Sequence, residues 1–285
     1  MTHCAKSIKV VFILGTGHCG STLLDMLLGA HPKIEGLGEV LNIFRGMSCT
    51  CGKKDYKCSF WVEASNTLSL KHFDIFRKKI DFLIDRKQFL RKTDRMPVDY
   101  MVYIRENEQL FTNVLNASGA EILVDSSKST ARVALLSSSE IIEPVLIHLV
   151  RDGRAVTWSY MKKYGHPLRC MMNWMLYNIK ASILIRRYSS LEHIFIRYED
   201  LATHPDIVLR ELMKKLNLPY NEDMLDFRNS EQHQIGGNRM KFRSEGIQLD
   251  RAWKRDMPIF YRLMFQVTCG WLNALYYRST KAERV

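Results

Sequence analysis

VVFILGTGHCGSTLLDMLLGAHP, residues 10–32, is the segment from which the fold of this chain can be predicted. It begins with five apolar residues, Val10–Leu14, a run that is typical of a buried parallel strand. A glycine-marked turn follows, and leucines then recur at helical spacing from Ser21 until His31 and Pro32 end the pattern. The stretch therefore predicts a strand, a glycine loop and a helix, in that order.

The turn between this strand and helix nearly forms a phosphate-binding loop. Gly15, Gly20 and Thr22 fit a Gly-x-x-x-x-Gly-Lys-[Ser/Thr] motif, but Ser21 stands where the lysine belongs. Backbone amides and the dipole of the following helix still favour a bound phosphate without that lysine. In kinases and ATPases, the lysine and magnesium neutralise a triphosphate. The loop therefore indicates a donor that carries fewer charges.

Three later segments repeat the apolar strand pattern, at residues 121–124, 145–150 and 194–196. Each is followed by a polar turn (DSSKS, RDGR or RYED) and then by a helical pattern, which predicts a parallel sheet with crossover helices. The turns should meet at the carboxyl edge of the sheet, where open α/β folds bind their ligands. Residues 168–187 and a final apolar segment predict two further helices.

A helical insertion is expected between residues 42 and 118, where the strand signal is replaced by charged sequence such as KHFDIFRKKIDFLIDRKQFLRK, residues 71–92. We interpret it as a cover over the site. The predicted fold class is α/β: a P-loop-like parallel sheet flanked by helices, with a mostly helical insertion after the first βα unit. One domain would span residues 1–285.

Composition excludes fewer classes of function than the motifs do. The 285 residues are 46% hydrophobic, and 42 Lys and Arg against 30 Asp and Glu give a net charge of +12. This charge suits a protein that handles anions, although a merely soluble basic surface is the simpler alternative. The longest apolar run before the glycine loop is far below the about 20 residues of a membrane span. Seven scattered cysteines suit a reducing compartment, so we expect a cytoplasmic protein without an integral membrane segment.

Two motifs stand in order along the chain: His18-Cys19-Gly20-Ser21-Thr22 in the glycine loop, and Arg151 with Ser159 in RDGRAVTWS. Both resemble motifs of the sulfotransferases that use 3′-phosphoadenosine 5′-phosphosulfate (PAPS), whose loop reads approximately [Lys/Arg]-[Ser/x]-Gly-[Thr/Ser]-Thr. Stretches similar to STLLDMLLGAHP, LVRDGRA and RYEDLATHP occur in the tyrosylprotein and bacterial branches of that family. The resemblance extends from Val10 to about Trp253 and is weakest over the insertion.

The resemblance implies a P-loop-like α/β fold and PAPS as the sulfuryl donor, with adenosine 3′,5′-bisphosphate as product and no catalytic metal. The sulfuryl group would pass to a hydroxyl or an amine. One position departs from the family pattern, because His18 stands where Lys or Arg is usual. A histidine is only partly charged at neutral pH, and a nearby sulfate and phosphate should favour its cation.

The resemblance also implies which residues bind the donor. The glycine loop would hold its 5′ side, whereas Arg151 and Ser159 would hold the 3′-phosphate, and Lys163 lies on the same helical face. Arg239, in the basic segment GGNRMKFRSEGI, would close over the adenine end. The predicted donor-binding residues are Gly17, His18, Cys19, Gly20, Ser21, Thr22, Arg151, Ser159, Lys163 and Arg239. The alternatives are a capped strand-to-helix turn, a structural Arg-Asp turn and a solvated basic loop.

Three residues are predicted to take part in catalysis. The acceptor hydroxyl must lose its proton as the new S–O bond forms, which requires a general base. The similarity of HPKIEGLGEV to the tyrosylprotein sulfotransferases implies that Glu39 is this base, with Glu35 as its rival and a solvated surface carboxylate as the simpler alternative. His18 and Lys128 would stabilise the transferring and leaving oxygens. Lys128, in VDSSKS, is equally compatible with an exposed residue beside a helix cap.

Cys49, Cys51 and Cys58, in CTCGKKDYKC, supply three of the four ligands that a zinc site needs. No second Cys pair and no His pair follows them. The sequence therefore favours a protein without a bound metal, with a zinc site at these three cysteines as the alternative that it leaves open.

Two other functional classes compete with a sulfotransferase. A nucleotide-dependent kinase requires the loop lysine that Ser21 replaces. A non-catalytic nucleotide- or RNA-binding protein is supported only by the charge, so we do not expect nucleic acid as a partner. The acceptor stays open among a tyrosine peptide, a sugar, a lipid and a small alcohol or phenol, and the sequence does not indicate an oligomeric state.

Overall fold

A five-stranded parallel sheet forms the centre of the computed structural model, which describes residues 7–66, 68, 98–242 and 246–278. The strands are β1 (Ile8–Leu14), β2 (Ile34–Gly38), β3 (Ile122–Asp125), β4 (Ile142–Val150) and β5 (His193–Arg197). They lie in the order β2-β3-β1-β4-β5, and every pair is parallel. All five carboxyl ends therefore meet at one edge of the sheet.

Strand β1 shows why the sheet could be predicted from the sequence. Its side chains alternate between two hydrophobic clusters: Phe12 and Leu14 face one, whereas Val11 and Ile13 face the other. A strand that is covered on both faces must be apolar at every position. The uninterrupted apolar run in the sequence therefore indicates that β1 lies in the middle of the sheet.

Helices cover both faces of the sheet. They are α1 (Ser21–Gly29), α2 (Ser59–Ala64), α3 (Val98–Ser118), α4 (Thr130–Leu136), α5 (Gly153–Tyr164), α6 (Pro167–Arg187), α7 (Tyr198–Thr203), α8 (Pro205–Leu216), α9 (Ala252–Asp256) and α10 (Ile259–Arg278). The predicted α/β class and the four predicted strands are confirmed. Helices α6 and α10 are the two helices expected at residues 168–187 and in the final apolar segment.

Strand β2 was missed in the sequence. Its residues, IEGLG, include two glycines and a glutamate, so no apolar run marks it. It lies at the edge of the sheet beside β3, and a register shift interrupts this pairing between Gly36 and Gly38. The pairing nevertheless brings the end of β2, and Glu39 directly after it, to the ligand-binding edge.

Helices α2 and α3 belong to the expected insertion, whereas its described residues 43–58 form turns, isolated bridges and a short 3-10 helix. Helices α2 and α3 pack against each other, and α3 buries Leu110, Phe111 and Val114 in a cluster shared with the sheet. Helix α3 thus covers a face of the sheet, whereas Met47, also in the insertion, lies at the carboxyl edge. The segment 71–92, which prompted the expectation of a cover over the site, lies outside the described residues.

Candidate functional site

A cleft of about 1720 Å³ lies at the carboxyl edge of the sheet. The predicted site residues that line it are Gly17, His18, Gly20, Ser21, Thr22, Glu39, Lys128, Arg151, Ser159, Lys163 and Arg239. Cys19 is the exception among the predicted residues, because its side chain is buried beneath the loop and only 1% exposed. Only the main chain of Cys19 can therefore contribute to a ligand site.

The glycine loop presents the amino end of α1 to the cleft. Gly20 precedes the helix in a left-handed conformation (φ 99°), and a Cβ there would clash with the ring of Tyr198, so the position requires glycine. Within the described structure, no side chain caps this helix. The first amides of a helix have no partner inside it, so those of α1 are available to an anion.

The two sequence motifs touch each other. His18 Nδ1 and Ser159 Oγ lie 2.6 Å apart, and Arg151 Nη1 donates to the carbonyl of His18 at 3.0 Å. The guanidinium of Arg151 also lies over the ring of Tyr198, 4.4 Å from its centroid. Residues from the turns after β1 and β4 thus form one continuous wall of the cleft.

A carboxylate holds Arg151 on its other side. Arg151 Nη2 donates to Asp250 Oδ2 at 2.9 Å and to the Asp250 carbonyl at 3.2 Å. The Arg151 side chain is 8% exposed, whereas that of Asp250 is 52% exposed. Arg151 Nε is buried without a hydrogen-bond partner among the described residues. The arginine therefore still has one unsatisfied donor beside a carboxylate that solvent can reach.

A second ion pair lies across the cleft. Lys128 Nζ donates to Glu39 Oε1 at 2.8 Å, to the Ser126 carbonyl at 2.7 Å and to Ser21 Oγ at 3.3 Å. Asn42 Nδ2 donates to the other carboxylate oxygen of Glu39 at 3.3 Å. Ser21 occupies the position of the missing loop lysine, so Lys128 brings an ammonium group to that position from the end of β3.

Glu35, the rival base, lies on β2 and does not line the cleft. Burial raises the pKa of Glu35 to about 8, and the charges of Asp25 and Glu231 raise it further. Glu35 is therefore largely protonated at neutral pH. Of the two candidate bases, Glu39, four residues later, is the one that lines the cleft.

His18 differs from the cation that the family motif usually has. Burial lowers the pKa of His18 from its ordinary value, and the positive charges of Lys163 and Arg151 lower it further. The protein itself thus favours a neutral imidazole at pH 7. A bound sulfate or phosphate would raise the pKa of His18 again, because a nearby anion favours the cation.

The structure adds aromatic residues that were not singled out in the sequence. The ring of Tyr160 lies 4.5 Å from the imidazole of His18, and a Cβ at Gly17 would clash with the Tyr160 hydroxyl. Tyr198 packs against Gly20 and donates from its hydroxyl to the Gln248 carbonyl at 3.2 Å. The position of Tyr198 in the RYED turn was the available signal, because such turns follow strands.

A fourth potential metal ligand, His233, lies beside the three cysteines of the segment CTCGKKDYKC. His233 lies with Cys49, Cys51 and Cys58 in a group whose ligand atoms are all within 4.8 Å of one another. The expectation that these cysteines lack a fourth ligand is wrong. A single histidine more than 170 residues along the chain from Cys58 supplies it, and no local spacing pattern marks that residue.

The parallel sheet, the glycine loop before α1 and the cationic side chains at the strand ends define a P-loop-like α/β protein. A family model described as "Sulfotransferase family" matches residues 10–222, and the chain belongs to this family. The resemblance inferred from the loop and from the RDGRAVTWS motif is therefore confirmed. No curated protein sequence matches the chain.

Solved structures show the same fold. The sulfotransferase domain from the Synechococcus PCC 7002 olefin synthase has 19% identity and a TM-score of 0.58, over 95% of this chain and 98% of that one. The sulfotransferase domain from the curacin biosynthetic pathway has 15% identity and a TM-score of 0.54, over 93% and 99%. Sulfotransferase STF1 from Mycobacterium tuberculosis H37Rv has 13% identity and a TM-score of 0.51, over 80% and 72%. None of the helices in the described ranges is long and apolar enough to cross a membrane.

Proposed function

We propose that this sulfotransferase takes its sulfuryl group from PAPS and transfers it to an acceptor hydroxyl by in-line displacement. One observation carries the proposal: the glycine loop, the Arg151 and Ser159 motif and the Glu39–Lys128 pair all line the same cleft. The contact between His18 and Ser159 makes the two family motifs neighbours. A donor with phosphate on both sides of its ribose requires such a double site.

The site fits the donor in charge and in hydrogen-bonding chemistry. The 5′-phosphosulfate would accept hydrogen bonds from the amides at the start of α1 and from the hydroxyls of Ser21 and Thr22. The 3′-phosphate would accept hydrogen bonds from Arg151 and Ser159, with Lys163 as a further cation. Arg151 Nε, buried and unsatisfied, is a donor that such an anion can use. Arg239, which also lines the cleft, would add a positive charge near the adenine end of the donor.

Lys128 couples the two ends of the reaction. Glu39 removes the acceptor proton while the acceptor oxygen bonds to sulfur and the bond from sulfur to the bridging phosphate oxygen breaks. Glu39 becomes neutral in this step, so Lys128 loses its ion-pair partner as negative charge grows on the departing phosphate. The ammonium group can then stabilise that oxygen, together with His18. The products are a sulfate ester and adenosine 3′,5′-bisphosphate.

The outer part of the cleft would bind the acceptor. Helix α6 contributes Asn173, Leu176, Tyr177 and Lys180 to its wall. This mixture of apolar, amide and cationic groups is compatible with a tyrosine peptide, a sugar, a lipid or a small phenol. The six cysteines in the described ranges are free thiols, which supports a reducing compartment such as the cytoplasm as the working location.

The proposal is tested first by ligand-induced stabilisation. Adenosine 3′,5′-bisphosphate should raise the melting temperature in the presence of EDTA, whereas ATP at equal concentration should raise it less, because only the former carries a 3′-phosphate. A panel of the four acceptor classes with labelled PAPS then identifies the acceptor. A kinase would show the reverse nucleotide preference and would transfer phosphate from ATP with magnesium.

A further inference from the structure

Four potential metal ligands converge at one point outside the cleft. Sγ of Cys58 lies 3.7 Å from Sγ of Cys49, 3.6 Å from Sγ of Cys51 and 3.5 Å from Nδ1 of His233. The Cys49 Sγ to His233 Nδ1 distance is 3.9 Å. Cys49 and Cys58 are buried, whereas Cys51 is exposed.

These distances match four of the six edges of a tetrahedron of the size that zinc requires, and the other two edges are no longer than 4.8 Å. With Zn–S bonds of about 2.3 Å and a Zn–N bond of about 2.0 Å, the edges are about 3.8 Å between sulfurs and about 3.6 Å between sulfur and nitrogen. A disulfide would join two sulfurs and leave the third cysteine and the imidazole without a function. The equal approach of both other sulfurs to Cys58 favours a shared ion instead.

The chain delivers these ligands from two distant segments. Cys49 and Cys51 lie on a tight turn in which Cys49 N donates to the Lys53 carbonyl at 2.8 Å and Gly52 N donates to the Cys49 carbonyl at 3.0 Å. Gly52 takes a left-handed conformation there (φ 84°). Cys58 is the residue directly before α2. The turn and the start of α2 thus place the three sulfurs together, facing the His233 imidazole.

His233 is held from its other side so that Nδ1 faces the sulfurs. Its Nε2 lies 3.5 Å from a carboxylate oxygen of Glu231, and the ring of Phe60 stacks on the imidazole with centroids 4.6 Å apart. Trp61 Nε1 donates to the His233 carbonyl at 2.6 Å. A carboxylate on the outer nitrogen is the usual support of a metal-bound histidine.

A buried lysine provides an independent sign of negative charge at this point. Lys241 is 7% exposed, and its Nζ donates to the carbonyls of Ser48 at 2.6 Å and Gln234 at 3.3 Å, each adjacent in sequence to a cluster residue. Among the described residues, no carboxylate forms a salt bridge with Lys241. Three thiolates, one imidazole and Zn²⁺ carry a net charge of −1, which the lysine would balance.

We propose that Cys49, Cys51, Cys58 and His233 bind a structural zinc ion. The three thiols lose their protons to solvent as the Zn–S bonds form, and no oxidant or reductant is involved. All four positions are filled by the protein, so the ion has no open position for chemistry and serves to join the insertion to the segment around His233.

The ion would also support the candidate base, a consequence that rests on the proposed role of Glu39. Ile235, two residues after His233, forms bridges with Cys49 and with Gly38. The Ile235 carbonyl accepts a hydrogen bond from Glu39 N at 2.7 Å. The metal thereby fixes the strip of backbone to which the Glu39 main chain is bonded.

Metal content of the purified full-length chain tests the proposal. Mass spectrometry of the metal should find about one zinc per chain, and Co²⁺ exchanged into the site should give the intense visible bands of a tetrahedral thiolate complex. Cys51→Ser and His233→Ala should each reduce bound zinc at least tenfold in a competition with a chromophoric chelator. The matched controls, Cys170→Ser and His193→Ala, should retain it.

A second measurement needs no folded variant. Titrating the wild-type thiols with a mercurial reagent should release zinc in step with modification of three cysteines. Zinc-supplemented protein that purifies without metal would overturn the proposal, as would a Cys49–Cys58 disulfide in mapped peptides of the fresh protein. Both results are independent of PAPS, so failure here is distinguishable from failure of the proposed transferase activity.

Discussion

Two ion pairs lie in the cleft, and they differ in how firmly the carboxylate is held. Asp250 reaches Arg151 from the segment before α9, and half of its side chain is exposed. Glu39 reaches Lys128 from the end of β2, with only 24% of its side chain exposed and with its main chain bonded to Ile235. We infer from this difference that a ligand can displace Asp250 from Arg151, whereas the proposed base Glu39 keeps its position whether or not a ligand is bound.

The largest expected effect on activity comes from replacing Glu39 in its ion pair with Lys128. Glu39→Gln keeps the shape of the side chain and a hydrogen bond to Lys128 but cannot accept a proton. We expect kcat to fall by about 10²- to 10⁴-fold while the affinity for adenosine 3′,5′-bisphosphate changes little. Steady-state kinetics and calorimetry check the two parts.

Glu35→Gln is the matched control, because Glu35 lies four residues away on β2 and outside the cleft. Its carboxyl is already mostly neutral at pH 7, so the amide should preserve activity. If Glu35→Gln lost activity and Glu39→Gln kept it, the assignment of the base would be reversed.

Breaking the Arg151–Asp250 pair should increase the affinity for nucleotide rather than reduce it. Asp250→Asn removes the anion that competes with a 3′-phosphate for Arg151, so binding of adenosine 3′,5′-bisphosphate should tighten about three- to tenfold. Asp206→Asn makes the same charge change at an exposed position and should leave the affinity unchanged. Weaker binding in Asp250→Asn would mean that the carboxylate orients the arginine instead.

A third carboxyl, that of Asp25, is buried close to the Glu39–Lys128 pair, and it makes the stability of the fold depend on pH. Burial raises the pKa of Asp25 to about 7, opposed by the hydrogen bond from Ser126. The folded chain therefore holds a proton that the unfolded chain releases near pH 4, so Asp25 makes stability fall as pH rises from about 4 to about 7.

Replacing this carboxyl removes that pH dependence. Asp25→Asn should be more stable than the wild type at pH 8 by about 1 kcal/mol or more, and the advantage should shrink toward pH 4. Urea unfolding at several pH values measures it, with the exposed Asp223→Asn as a control. An advantage that stayed constant with pH would show that Asp25 has no raised pKa.

Local signals made most of the fold predictable. The apolar run of β1, the glycines after it and the leucines of α1 are contiguous, so they are visible without tertiary information. Strand β2 could not be found in this way, because its sequence is glycine-rich and its pairing partner β3 lies more than 80 residues further along the chain.

The candidate site was predictable to the extent that strand ends converge. That rule placed Lys128 and Arg151 at one edge before any contact was known. Glu39 came instead from the resemblance of HPKIEGLGEV to the tyrosylprotein sulfotransferases, because no apolar run marks β2. It could not supply Asp250, which lies 99 residues from Arg151, or His233, which lies 184 residues from Cys49. Such contacts depend on how later segments fold back over the sheet, and no spacing pattern encodes them.

If the glycine loop and Arg151 bind opposite phosphates of one donor, a nucleotide without the 3′-phosphate must bind more weakly, and the loss must depend on Arg151. Calorimetry should show that the wild type binds adenosine 3′,5′-bisphosphate at least tenfold more tightly than adenosine 5′-phosphate. Arg151→Ala should abolish that preference while leaving binding of the monophosphate nearly intact. An unchanged preference in Arg151→Ala, or no preference in the wild type, would contradict the account.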